Sequence, residues 1–229
     1  MSLSELHFDN ADKLNQAFSN RIVELLRTSL EQKGKASLVV SGGRTPIGLF
    51  NALSNQELDW SNVTITLADE RWVNEDHSDS NANLVKSHLL VNKAASATFV
   101  SLKTAGDNPY SEESAVASQL ELVAQPFTVT ILGMGEDGHT ASLFPCSEEL
   151  SKGTDLNNQA SCLAVTPTTA PHKRMSLTLS AIVQSENVFL HLTGENKKIV
   201  LHEALADANQ PKPIVSVVNN ADVTLYWAP

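Results

Sequence analysis

The chain has 229 residues, 41% of them hydrophobic, with 26 acidic against 16 basic side chains and a formal net charge of −10. That length buries a sizeable core and suits a single domain over residues 1–229, while the acidic balance counts against general nucleic-acid binding, which needs a basic face. No apolar run reaches the roughly 20 residues that span a bilayer, and the opening Met1–Leu6 lacks the basic start and apolar stretch of a secretory leader, so a cytoplasmic protein without membrane contact is expected.

In chain order, Leu14, Phe18, Ile22, Leu25, Leu26 and Leu30 recur at helical spacing and predict a helix from Ala11 to about Gln32, with Gly34 as its stop. Ala36–Val40 reads as a buried strand, and Pro46–Phe50 as the first turns of a helix with proline near its start. A strand at Val63–Ala68, a helix at Asn81–Leu90, a weak strand at Thr98–Val100 and a helix at Ser111–Ala124 follow. Phe127–Leu132 ends apolar as a buried strand does, and Glu149–Asn158 is rich in loop residues. The pattern then predicts a strand at Ser161–Val165, a short helix near Leu177–Val183, a strand at Val188–Leu192 and a helix at Asn196–Ala206. Ile214–Val218 reads as another strand and Asp222–Trp227 as a last one at an edge. Short apolar strands alternating with helices give an α/β class: a mostly parallel sheet covered by helices on both faces, with its ligand beyond the carboxyl ends of the strands.

The polar motifs fall at those ends. Gly133-Met134-Gly135-Glu136-Asp137-Gly138-His139 places three glycines, an acid and a histidine where a strand hands over to a helix. An imidazole held at such a turn is a candidate general base. Ser41-Gly42-Gly43-Arg44-Thr45-Pro46 follows the first predicted strand. Its free N–H groups, the Thr45 hydroxyl and the Arg44 fork suit a phosphate, and the loop matches neither a dinucleotide nor a nucleoside-triphosphate pattern. Asp69-Glu70-Arg71 ends another strand, where Arg71 could clamp a phosphate or a carbonyl oxygen with Asp69 or Glu70 fixing its orientation. Ser80 reads as a cap for the next helix, with Asn81 a secondary ligand candidate. Pro171-His172-Lys173-Arg174 gathers basic groups in an acidic chain, and Lys197, nearer its turn than Lys198, is the lysine expected to face a cleft.

Other residues read blandly. His7, His88, His191 and His202 are isolated, Trp60 and Trp227 suit packing, and Ser142 lies outside any GxSxG elbow. Cys146 and Cys162 lack CxxC spacing, which argues against a zinc site or a disulfide framework, and no spaced His/Asp/Glu set suggests a hydrolytic metal.

Taken together, the loops Ser41–Pro46, Asp69–Val73, Ser80-Asn81, Gly133–Pro145, Pro171–Arg174 and Gly194–Lys197 resemble the 6-phosphogluconolactonase branch of the glucosamine-6-phosphate isomerase/deaminase-like family. Thr140–Pro145 lacks the acid that the deaminases carry after the histidine, and Asp69-Glu70-Arg71 matches the lactonases rather than the Asp-Glu-Tyr usual in deaminases. The resemblance implies hydrolysis of 6-phospho-D-glucono-1,5-lactone, a sugar-phosphate substrate of the oxidative pentose phosphate pathway, without metal or organic cofactor. It implies His139 as the base, Asp137 as its support and Arg71 at the oxyanion. Gly42, Gly43, Arg44 and Thr45, with Asp69, Arg174 and Lys197, would bind substrate and its phosphate, though Arg71 and the other cations could exchange roles. A monomer or weak homo-oligomer is expected.

Overall fold

Asn10 starts the first helix by accepting the Lys13 N–H on its side chain at 2.9 Å, and Gly34, left-handed at φ 69°, ends it by donating its N–H to the Leu30 carbonyl. Between them α1 (Ala11–Lys33) buries Leu14, Phe18, Ile22 and Leu26, the stripe its spacing predicts. The computed structural model describes residues 2–207 and 212–229. Its remaining helices are α2 (Ile47–Ser54), α3 (Asn81–His88), α4 (Pro109–Leu120), α5 (Leu150–Thr154), α6 (Leu179–Val183), α7 (Glu195–Ala206) and α8 (Pro213–Asn220). Its strands are β1 (Leu3–His7), β2 (Ala36–Val40), β3 (Val63–Leu67), β4 (Asp69–Arg71), β5 (Thr98–Phe99), β6 (Val129–Leu132), β7 (Cys162–Val165), β8 (Arg174–Leu177), β9 (Val188–Thr193) and β10 (Val223–Ala228).

Seven strands form one sheet in the order β1-β10-β9-β6-β2-β3-β5, and every pairing in it is parallel. Every residue of β2 and β6 is buried, as a parallel sheet covered on both faces requires. The helix α1 packs across β2, β6 and β10. At that interface Phe18 stacks on Tyr226 at 4.0 Å and meets Phe189 and His191 edge-on at 5.2 and 5.5 Å. Truncating Phe18 to alanine there would cost about 3–5 kcal/mol. A second, antiparallel sheet, β4-β8-β7, joins the first through Ala68, whose N–H donates to the Val40 carbonyl and whose carbonyl accepts from Leu177.

The α/β class and the parallel sheet are as the alternating pattern predicts. Beyond the short strands β4 and β8, which the pattern does not predict, four elements differ. Ile214–Val218 is not a strand but the core of α8, because Pro213 at its first position presets a helical φ and the apolar residues pack inward. Asp222–Trp227 does not form an edge: β10 lies between β1 and β9, and the edge is β1, whose polar Leu3–His7 carries no strong strand signal. The helix near Leu177–Val183 begins only at Leu179, capped by Thr178, because Leu177 closes β8. Glu149–Asn158 contains the single-turn α5.

Candidate active site

The chain leaves β6 at Leu132 and folds into a turn closed by hydrogen bonds from Gly135 N–H to the His139 carbonyl (2.9 Å) and from the Thr140 hydroxyl to the Gly133 carbonyl (2.8 Å). A Cβ on Gly135 would lie 2.1 Å from the His139 ring, so only glycine lets the imidazole rest against this backbone. His139 Nδ1 is 2.5 Å from Asp137 Oδ1, and the same oxygen accepts the His139 backbone N–H at 3.1 Å. Burial pushes the Asp137 carboxyl up, but the His139 N–H, the imidazole's charge and the side-chain hydrogen bond together hold it below its ordinary value. An ionised Asp137 accepts a hydrogen bond from Nδ1–H, which leaves the lone pair on Nε2. Phe144 stacks on the imidazole at 4.1 Å and limits its rotation.

His139 opens onto a cleft of about 210 Å³ beyond the carboxyl ends of β2, β6 and β9. Gly42, Gly43, Arg44 and Thr45 line one wall, Asp69, Arg71 and Arg174 another, and Lys197 a third. Gly42 is forced by close packing, since a Cβ there would meet Asn81 Oδ1 at 1.8 Å. Arg44 is exposed at the mouth. Lys197 Nζ donates to the Met134 carbonyl at 2.7 Å, beside the histidine turn, whereas Lys198 lies over the Trp227 ring. Arg71 Nη1 donates to the Asp79 carbonyl at 2.7 Å and Arg174 Nη2 to the Pro171 carbonyl at 3.0 Å. The Nε atoms of both arginines are buried without a protein partner. Unspent donors on two held guanidiniums, with a third arginine and a lysine nearby, make a locally cationic site in an acidic protein.

The acids beside Arg71 do other work than expected. Asp69 accepts the Ser142 hydroxyl at 2.6 Å and faces Arg174 Nη1 at 3.8 Å. Burial lowers the Arg174 pKa while the charge of Asp69 opposes that shift, and a guanidinium stays protonated regardless. Glu70, 1% exposed, accepts the backbone N–H groups of Arg71, Asn81 and Ala82 at 2.7–2.8 Å. Burial raises its pKa and these three donors pull against the rise. Neither carboxylate is hydrogen-bonded to the Arg71 guanidinium; the Asp79 carbonyl orients it, because Glu70 turns inward to tie β4 to the start of α3.

Three contributors escaped the sequence reading. Ser142 acts through Asp69, distant in sequence, and no local signal marks it, whereas Phe144 lies five residues after His139 in the same motif and its stacking is local. His191, taken as an isolated histidine, lines the cleft wall fully buried, with both ring nitrogens unpartnered, and burial pushes its pKa down to about 4. Sequence spacing also showed no metal-ligating set, yet folding brings one ligand atom each of His77, Asp79 and His172 within 4.8 Å of one another. Cys146 and Cys162 are both free thiols.

Residues 9–227 match the family model of glucosamine-6-phosphate isomerases/6-phosphogluconolactonase. A 6-phosphogluconolactonase of Neisseria meningitidis serogroup A is 42% identical over 221 residues, covering 96% of this chain and 95% of that protein. One from Pseudomonas putida is 37% identical over 238 residues, covering 100% and 98%. The crystal structure of a 6-phosphogluconolactonase from Shewanella baltica superposes with a TM-score of 0.96 at 44% identity, covering 100% of this chain and 98% of that one. The cleft thus sits in a fold and a sequence shared end to end with these proteins, and the chain belongs to the glucosamine-6-phosphate isomerase/6-phosphogluconolactonase family.

Proposed function

We propose that this chain hydrolyses 6-phospho-D-glucono-1,5-lactone to 6-phosphogluconate, with His139 activating the attacking water. Full-length likeness to several 6-phosphogluconolactonases supports the class, a lactone hydrolase acting on a sugar phosphate. The observation that carries the mechanism is the Asp137–His139 pair at 2.5 Å, opening into a cleft ringed by Arg44, Arg71, Arg174 and Lys197. His139 Nε2 takes a proton as water adds to the lactone carbonyl carbon. Arg71 meets the developing oxyanion. The bond from that carbon to the ring oxygen then breaks, and the imidazolium returns its proton to the leaving oxygen. The Gly42–Gly43 turn, Arg44, Thr45, Arg174 and Lys197 hold the 6-phosphate, which fixes the carbonyl against His139, while Asp69 keeps Arg174 in place.

A positioned base contributes roughly 10²–10⁴-fold and one oxyanion donor about 10²–10³-fold. Those factors suffice for a six-membered lactone that already opens in water, and no covalent intermediate is needed. The Ser142 hydroxyl is committed to Asp69 rather than to His139, which argues against a serine nucleophile. An isomerase or deaminase on the same fold would need a second, free carboxylate to move a carbon-bound proton, and the cleft's Asp69 is held by Ser142 and Arg174.

The test is a coupled assay with freshly generated lactone, corrected for spontaneous opening. His139→Ala is expected to lower kcat by about 10²–10⁴-fold with 6-phosphogluconate still bound. Undiminished turnover would remove His139 from the mechanism, and turnover of glucosamine 6-phosphate by the native chain would favour the deaminase reading.

A further inference from the structure

Behind Arg71, outside the cleft lining, the loop before α3 and the turn before β8 bring His77, Asp79 and His172 together. His172 Nε2 lies 2.9 Å from Asp79 Oδ2 and His77 Nδ1 lies 4.0 Å from the same oxygen, with the two rings edge to face at 5.4 Å. A zinc-type ion bonds imidazole nitrogen and carboxylate oxygen at about 2.0–2.2 Å, which sets tetrahedral ligand atoms roughly 3.3 Å apart. The observed spread, from 2.9 Å up to 4.8 Å, brackets that value, so small side-chain rotations would close the site. His77 Nδ1 accepts the Asp79 backbone N–H at 3.0 Å, so it carries a lone pair, and a cation would take that lone pair over in place of this one hydrogen bond. Two imidazoles with one carboxylate suit zinc, nickel or cobalt and not magnesium or calcium, which prefer all-oxygen shells.

Two further features mark the place. His172 holds a left-handed backbone at φ 68°, which a non-glycine residue keeps only when its surroundings impose it. The same two segments also supply the carbonyls that hold the cleft arginines: Asp79 O for Arg71 and Pro171 O for Arg174. We propose that His77, Asp79 and His172 form a three-ligand site for a zinc-type divalent cation, completed by water, that clips these two segments together and so fixes the carbonyls carrying Arg71 and Arg174. The site stands whatever substrate the cleft takes.

The test uses the full chain carrying Cys146→Ser, which removes the half-exposed thiol as a rival ligand, freed of metal by a chelator and titrated with zinc chloride by calorimetry. One zinc per chain is expected, with a raised Tm at saturation and a tetrahedral visible spectrum when cobalt replaces zinc, and no binding of magnesium. Asp79→Asn keeps the carbonyl that holds Arg71 and is expected to weaken zinc binding at least about tenfold, as is His77→Gln at the exposed ligand. Absence of saturable zinc binding, or affinity unchanged in both variants, would overturn the site and leave His172 and Asp79 as a simple hydrogen-bonded pair.

Discussion

The two sheets contribute different things to one cleft. The parallel sheet supplies turns: Gly42-Gly43 after β2, the histidine turn after β6 and Lys197 after β9, all at strand ends where backbone can approach a ligand. The antiparallel sheet supplies buried charge within its ladder, with Asp69, Glu70 and Arg71 paired in register with Ser176, Met175 and Arg174. The turns bring backbone to the cleft on glycine, while the buried charges, among them the cleft-lining Arg71 and Arg174, are seated in a hydrogen-bonded strand pair. Damage to the glycine turns should therefore appear in turnover, and damage to the acids that brace the small sheet, Glu70 above all, in stability before turnover.

The sharpest break of that contrast is Gly135→Ala. Its methyl group would occupy the space of the His139 ring, so the imidazole must leave Asp137 or the turn must open. A kcat loss approaching that of removing a general base, about 10²–10⁴-fold, is expected with a comparatively small shift in Tm. A variant that loses most of its stability but keeps kcat per folded molecule would show that the turn is structural rather than catalytic.

On the other side of the contrast stands Glu70→Gln. The amide cannot accept all of the N–H groups of Arg71, Asn81 and Ala82, so at least one buried donor faces another donor. Hydrogen bonds to a charged group are each worth about 1.5–3 kcal/mol, and an overall loss of about 3–4 kcal/mol is expected in urea unfolding. A loss below about 1 kcal/mol would mean that the small sheet does not depend on this carboxylate.

The parallel sheet and its loops were legible because each polar motif follows an apolar run directly, so strand, turn and function share one stretch of sequence. The small sheet was not: β4 and β8 are three and four residues long, and their pairing joins residues about a hundred apart. The same distance hid the bond from Ser142 to Asp69 and the grouping of His77 with His172. In α8, Ile214, Val215, Val217 and Val218 carry strand propensity, and only the proline before them and burial between α6 and α7 select a helix. Near-neighbour chemistry could be read off the chain, whereas chemistry assembled by long-range pairing could not.

His191 tests a third kind of site, a titratable group in the parallel sheet that makes no hydrogen bond. Burial holds its folded pKa at about 4, below the 6.5 of an exposed histidine. Between those values the unfolded chain binds the extra proton, so stability is full above about pH 6.5 and is lost as pH falls toward 4. At 1.36 kcal/mol per pH unit the contribution is at most about 3 kcal/mol. His191→Leu should therefore flatten the stability profile between pH 6.5 and 4 relative to the native chain, with little change at pH 7 because no hydrogen bond is lost. Parallel profiles for the two proteins would show that the ring is solvated.

The smallest effect separates the two sheets most finely, because Ser142 belongs to the histidine loop while its hydroxyl serves the antiparallel sheet through Asp69. Its backbone N–H also accepts help from that sheet, donating to Ser176 Oγ at 3.0 Å. Ser142→Ala should cost about 2 kcal/mol, the value of a buried hydrogen bond to a carboxylate, and leave Asp69 to the guanidinium of Arg174 alone. With Arg174 less firmly held, KM should rise more than kcat falls, and kcat should stay within about tenfold of native. A serine acting as nucleophile would instead lose turnover almost entirely on losing its hydroxyl, and the same variant would then overturn water activation by His139 as the catalytic step.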